Sequence, residues 1–270
     1  MWWVRTDCCG VFCAIFTVLL MFFAAFVQTY YVIGPWKGYF STQLTLYLLL
    51  VIISAICHTK CQFSNPGCVP RTIDEDSSEI RTSSGERPRS CRSCSRLKPY
   101  DAHHCSSCER CILRMDHHCP WVNNCVAMFN QKYFLQFLLY TGCQCLFCLV
   151  SLSSRFFYCS KLPYNHNNNN IFNNPSCNPT PIDVLLCVLN FIEGILFGLF
   201  TFIMLFDQLS AIFSNTPYID QIKGKKGAKK QKYQCLIDVF GEPFSISWFF
   251  PTPLTKQMTQ NWNIMSNHYG

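Results

Sequence analysis

The chain has 270 residues, of which 50% are hydrophobic and 14% charged, and its net charge is +7. A typical globular domain is about 25% charged, so the composition excludes a purely soluble fold. The small positive excess suits a membrane surface or an anionic ligand better than nucleic acid.

Four stretches reach the length of about 20 apolar residues that a bilayer crossing requires. Residues 11–33, 39–57 and 133–154 contain no charged side chain, and 184–206 contains one, Glu193. The first is too long for a signal-peptide core. A buried helix of a soluble protein keeps a polar face, and residues 22–27 have none. The prediction is an all-α integral membrane protein with four transmembrane helices. Residues 1–60 hold helices 1 and 2, 61–90 form a cytosolic linker, 91–132 a small cysteine-rich zinc domain, 133–206 helices 3 and 4, and 207–270 a cytosolic tail.

Four spans place both termini on one side. Lys and Arg number one before the first span, one in the turn after it, eleven in 58–132, two in the loop between spans three and four, and seven in the tail. Positive charge stays cytosolic, so the N-terminus, the middle segment and the tail face the cytosol. The Asn-rich loop, about 155–183, faces the lumen or the exterior. That loop is low-complexity and holds Cys159 and Cys177, a candidate disulfide pair. Its two Asn-Pro-Ser/Thr triplets are blocked as glycosylation sites by the proline. Residues 74–89 read as a flexible linker, and no internal repeat is apparent.

Of the 20 cysteines, seven lie between Cys91 and Cys125, interleaved with His103, His104, His117 and His118. Disulfide frameworks have no use for histidine, whereas zinc does, so this block reads as reduced and cytosolic. Cysteines two residues apart, at 91/94, 105/108 and 108/111, form half of a zinc knuckle, whose tight turn aims both sulfurs at one ion. Two closed tetrahedral sites would take eight of the eleven donors and leave one cysteine among the three spare. So short and polar a segment would draw most of its folding free energy from the metal. Closed sites leave no position for water, which argues against zinc hydrolase chemistry.

The spare thiol is the chemical signal. Asp116-His117-His118-Cys119 sets an acid, an imidazole and a thiol within four residues. Cys119 fits a nucleophile, His117 its base, and Asp116 the group that fixes the imidazole tautomer. The alternative is that Cys119 is an adventitious ninth ligand.

From Cys91 through Cys125 and on to Phe134, the sequence resembles the DHHC protein S-acyltransferases, which are palmitoyltransferases with a cysteine-rich zinc domain. The resemblance rests on His103-His104-Cys105-Ser-Ser-Cys108, on Arg114-Met115-Asp116-His117-His118-Cys119-Pro120-Trp121 and on Asn123-Asn124-Cys125-Val126. It implies one zinc on Cys91, Cys94, His104 and Cys111 and a second on Cys105, Cys108, His118 and Cys125, both structural. Cys119 is then the acyl-accepting nucleophile, with His117 and Asp116 beside it. His103 is left with a structural hydrogen bond. Three further motifs occur in altered form: Asn65-Pro66-Gly67, the stretch Asn215 to Asp220 in place of Thr-Thr-x-Glu, and Val239-Phe240-Gly241, with Cys235 where an asparagine is usual. Asp101 stands where many members carry arginine.

The expected reaction moves a palmitoyl or similar group from acyl-CoA, through a thioester on Cys119, to cysteines of membrane-associated proteins, in the Golgi, ER or plasma membrane. The alternative is a catalytically silent zinc-containing membrane scaffold. The long alkyl chain would stay among the spans. Trp121 is placed near the thioester, and Arg110 and Arg114 are candidates for the coenzyme A phosphates. Gln144 and Glu193 lie at similar depth and are expected to bond across the bundle. Six lysines in 223–232 are expected on the anionic leaflet. Cys8 and Cys9, beside span one, are candidates for acylation. No nucleic-acid partner is expected.

Overall fold

The computed structural model describes residues 7–34, 40–69, 89–161, 177–241 and 243–253. The linker expected at 74–89 falls almost wholly outside them, as does the Asn-rich run 167–170. Helix α1 spans Cys8–Val27 and continues as a π-helical stretch, Gln28–Ile33; α2 is Phe40–Phe63, α3 Gln131–Ser160 and α4 Pro181–Phe213. All four are long and apolar enough to cross a membrane. They overrun the apolar windows because polar residues at their ends keep the backbone bonded outside the hydrocarbon. Exposed Leu196, Leu199, Phe202, Ile203 and Phe206 on α4 would be costly in water and suit lipid.

Two compact units emerge, one built from 1–15, 56–136 and 206–270, the other from 16–55 and 137–205. The ends of all four helices thus belong with the cysteine-rich block.

Among the described residues of the first unit, six short strands form three antiparallel hairpins. They are β1 (Arg89–Cys91) with β2 (Arg96–Lys98), β3 (Ala102–Cys105) with β4 (Arg110–Leu113), and β5 (His117–Cys119) with β6 (Asn124–Val126). Strands of three or four residues cannot hold themselves together. Around Cys105, Cys108 and Cys125, sulfur supplies much of the core in place of branched aliphatics. The chain leaving α2 lies along β4, with Val69 N bonding Cys111 O at 2.9 Å and Leu113 N bonding Gly67 O at 2.9 Å. Asn65 makes that exit turn: its Oδ1 accepts from Gly67 N at 3.0 Å and Cys68 N at 2.9 Å. An aspartate there would accept the same two bonds, so the altered Asn-Pro-Gly keeps its geometry. Gly67 has a φ of +115°, which a side chain would strain.

Asn124 ties β6 to the end of α2. Its Nδ2 donates to the carbonyls of Cys61, Gln62 and Ser64 at 3.0, 3.1 and 2.9 Å, at a helix end whose last carbonyls lack intrahelical donors; Cys61 O also accepts from Ser64 Oγ at 3.3 Å and Asn130 Nδ2 at 3.4 Å. Asn130 does the same locally, holding Cys125 O at 2.7 Å and Ala127 N at 2.9 Å. After α4 come α5 (Tyr218–Ile222) and α6 (Lys232–Phe240). Gly241, with a φ of +87°, caps α6, and Phe240 stacks on Trp248 at 4.4 Å.

In the second unit the polar side chains bond inside the bundle. Gln28 donates to Asn190 Oδ1 at 3.0 Å and accepts from Ser151 Oγ at 2.7 Å. The expected bond between Gln144 and Glu193 does not form. Gln144 Nε2 donates to Tyr47 Oη at 3.4 Å, and Glu193 accepts from Asn190 Nδ2 at 3.2 Å, one turn away on its own helix. Equal depth fixes position along a helix axis but not rotation about it, and rotation decides which neighbour a side chain meets. Cys159 and Cys177 form a disulfide, and Arg155 donates to the carbonyls of Tyr31 and Val32 at the end of the π-helical stretch.

Candidate active site and metal centres

The three hairpins repeat. Cys91 to Cys105, Cys94 to Cys108, His104 to His118 and Cys111 to Cys125 each span 14 positions. The backbone repeats with them: Ser95, Glu109 and Asn123, also 14 apart, close the three turns at φ of 53°, 48° and 46°. A left-handed residue there turns the chain sharply before each second strand. This corrects the reading that the chain has no internal repeat. The signal was already present in the matched Cys-x-x-Cys pairs and His-Cys steps.

The repeat brings eight donors into two groups, Cys91, Cys94, His104, Cys111 and Cys105, Cys108, His118, Cys125, each with its donor atoms within 4.8 Å of one another. These are the two sets the resemblance implied. Cys94 Sγ lies 3.2 Å from His104 Nδ1 and 3.8 Å from Cys111 Sγ. Cys108 Sγ lies 3.4 Å from both His118 Nδ1 and Cys125 Sγ. A tetrahedron with zinc–sulfur bonds of about 2.3 Å and zinc–nitrogen bonds of about 2.0 Å has edges of roughly 3.4–3.8 Å. Both groups therefore fit a four-coordinate zinc ion whose role is to tie hairpins together. The middle hairpin gives His104 and Cys111 to one group and Cys105 and Cys108 to the other.

Cys119 occupies the repeat position of Cys91 and Cys105 but belongs to neither group, and it is buried. Position 122, where a knuckle would have its second cysteine, is Val122. The 3₁₀ turn Pro120–Val122 follows, and its Trp121 carbonyl is held by His58 Nε2 at 2.9 Å. Gly10 of α1 packs against the Asn123 side chain, so a Cβ there would collide with it.

Asp116 and His117 form a hydrogen-bonded pair. His117 Nδ1 donates to Asp116 Oδ2 at 2.8 Å, and the buried Nε2 has no hydrogen-bond partner within normal reach. The ring packs edge-on against Phe134, with centroids 5.3 Å apart. Burial opposes a charge on His117, but the bond to Asp116 and the neighbouring Cys119 sulfur outweigh it and raise the pKa to about 9. Asp116 is shifted the other way. Burial favours its neutral form, yet the bonds from His117 and from the backbone of Tyr218 hold its carboxyl below the ordinary range. Tyr218 N lies 2.7 Å from Asp116 Oδ1, and Gln208 Nε2 lies 2.7 Å from Oδ2.

The stretch from Asn215 to Asp220 therefore serves the site through its backbone, although Pro217 and Tyr218 stand where the motif has its threonines. Asn215 Oδ1 accepts from Arg114 at 2.8 Å. Asp220 accepts from His103 Nε2 at 3.0 Å and Lys225 at 2.9 Å, and Lys223 meets His103 Nδ1 at 3.0 Å. His103 thus has its structural bond. Burial works against the Asp220 charge, but His103 and Lys225 pull its pKa down to about 2. Asp101 offers its carbonyl to Arg114 N at 2.9 Å. Arg110 Nε donates to Cys108 O at 3.0 Å. Of the six lysines, four meet protein groups: Lys223 and Lys225 as above, Lys230 against Asp238 at 2.7 Å and Lys232 over the Phe213 ring.

Fold and site together define a helical membrane protein with two four-donor groups that fit zinc and a cysteine–histidine–aspartate group outside them. Residues 84–225 match the family model described as DHHC palmitoyltransferase. Palmitoyltransferase ZDHHC3 of Homo sapiens is 35% identical over 93% of this chain and 83% of its own length. Palmitoyltransferase ZDHHC7 of Rattus norvegicus is 33% identical over 93% of this chain and 80% of its own. The chain belongs to the DHHC palmitoyltransferase family.

Proposed function

We propose that this chain is a protein S-palmitoyltransferase working in two steps through Cys119. Cys119 Sγ attacks the thioester carbonyl of a long-chain acyl-CoA, and its proton passes to His117 Nε2. The new sulfur–carbon bond forms as the bond to coenzyme A breaks, and the departing coenzyme A thiolate takes that proton from His117. A cysteine of a membrane-associated protein then gives its proton to His117 and attacks the Cys119 thioester, and His117 returns the proton to the departing Cys119 thiolate. The observation carrying this reading is a thiol outside both donor groups, next to an imidazole whose other nitrogen is fixed by a buried carboxylate. His117 acts as the base and Asp116 holds its tautomer. The donor groups would hold two structural zinc ions that keep the hairpins in register.

Family membership also supports acyl-CoA as donor and membrane-associated proteins as acceptors. Trp121 is proposed to lie near the thioester. Arg110 and Arg114 are proposed to share their charge with the coenzyme A phosphates, although each is already bonded within the fold. The N-terminus, the cysteine-rich region and the tail are proposed to face the cytosol. The Cys159–Cys177 disulfide supports an oxidising environment for the opposite loop.

The test compares wild type with Cys119→Ser, using a clickable palmitoyl-CoA. Wild type should take up label that hydroxylamine releases. Cys119→Ser should take up none at that position and transfer none, with its zinc content unchanged. Normal transfer by the serine variant overturns the mechanism, and an unlabelled wild type leaves the silent scaffold.

A further inference from the structure

Asp116 is 2% exposed and accepts three N–H donors, from His117, the Tyr218 backbone and Gln208. Two of these come from the site and its neighbouring motif. The third comes from near the end of α4, 92 positions away, and no sequence motif points to it. Gln208 is itself 3% exposed, and a buried amide must satisfy both ends. Its Nε2 donates to Asp116 Oδ2, and its Oε1 accepts from Gln131 Nε2 at 3.2 Å. The orientation of the amide follows from chemistry: an ionised carboxylate can only accept, so Gln208 must present its NH2 group to it. Gln131 begins α3. A relay of donors therefore runs Gln131 to Gln208 to Asp116, with His117 sharing the same carboxylate oxygen.

We propose that Gln208 is a positioning residue for acyl transfer, locking Asp116 so that His117 keeps its free nitrogen turned toward Cys119. A carboxylate held by His117 and one backbone N–H alone can swing about its Cα–Cβ bond. A third donor on the oxygen that His117 uses removes that freedom. Gln131 supports it by fixing the amide of Gln208. The proposal rests on the two-step reading above and extends it to the ends of α3 and α4.

The test uses the purified full-length chain with palmitoyl-CoA and follows formation of the Cys119 thioester in wild type, Gln208→Leu, Asp116→Ala and the double variant. Gln208→Leu should lower the rate at saturating palmitoyl-CoA by about tenfold, a fraction of what an imidazole-orienting carboxylate supplies, with KM and zinc content unchanged. In the Asp116→Ala background the same change should add nothing, because the group it positions is gone. Gln131→Ala should reproduce the pattern at severalfold. It also serves as the reporter should Gln208→Leu fold poorly. A full rate for Gln208→Leu, an undiminished effect in the Asp116→Ala background, or a loss of rate that tracks loss of zinc would each overturn the proposal. A full rate for Asp116→Ala would instead sink the two-step reading beneath it.

Discussion

The cysteine-rich region and the membrane helices are held together by opposite means. In the first, strands of three or four residues have almost no cohesion of their own, and order comes from point attachments: two four-donor groups, and asparagines that tie loop to helix. In the second, length and apolarity build each helix independently, and polar side chains only tune how the helices meet. The lesson is where each region should be fragile. Point attachments fail singly and completely, whereas a helix in lipid keeps its backbone bonds whatever one side chain does.

The largest expected effect is metal removal. A strong chelator should unfold the hairpins and abolish acyl transfer, a loss on the order of 10 kcal/mol, while circular dichroism still reports most of the helix. Helical signal falling in step with zinc would erase the distinction between the regions. Next comes Asn124→Ala, which removes the side-chain donor from the carbonyls of Gln62 and Ser64, whereas Cys61 O keeps Ser64 Oγ and Asn130 Nδ2. At about 1 kcal/mol or more for each unpaired group, it should cost about 2–4 kcal/mol in thermal unfolding of the cysteine-rich region. A shift within error would mean that water replaces the amide at no cost.

Asp220→Asn should cost about 1 kcal/mol, reduced for partial solvent screening. The folded carboxyl, at about 2, lies below its ordinary 3.8. Its contribution is therefore complete above 3.8 and disappears as pH falls through about 2. The deficit of the variant should accordingly stay constant between about pH 6 and 8; a deficit that changes across that window would assign the effect to another group. The smallest is Gln28→Leu in the membrane unit. It loses its bonds to Asn190 and Ser151, yet side-chain hydrogen bonds in bilayers average only about 0.6 kcal/mol. A penalty as large as that of Asn124→Ala would show that the helices also depend on point attachments.

Much of this contrast is legible in the sequence, because each region has its own signal. Uncharged stretches announce helices, and the Cys-x-x-Cys pairs announce the donor groups. The roles proposed for Asp116, His117 and Cys119 follow from their proximity in the chain. What escapes is contact across long separations. Gln208 reaches Asp116 from the end of another helix, and nothing in residues 200–213 marks it as different from any polar residue at a helix end. Gln144 and Glu193 fail for a related reason, since composition gives depth but not azimuth. The lysines of 223–232 look like one uniform patch, yet Lys223 and Lys225 are claimed by His103 and Asp220. Pro217 and Tyr218 in place of the motif's threonines look like damage, yet what reaches Asp116 there is the backbone N–H of Tyr218, which any residue but proline provides.

The 14-residue stagger of the hairpins has one more consequence. Each of the first two rungs of that ladder gives a pair of sulfurs to a donor group, and the third rung has no further group to serve. Val122 ends the series, so Cys119 is a coordination site left half-drawn. Its thiol is aimed by the same turn that elsewhere aims a ligand, and, with no companion at position 122, it stays outside both donor groups, as the proposed chemistry requires.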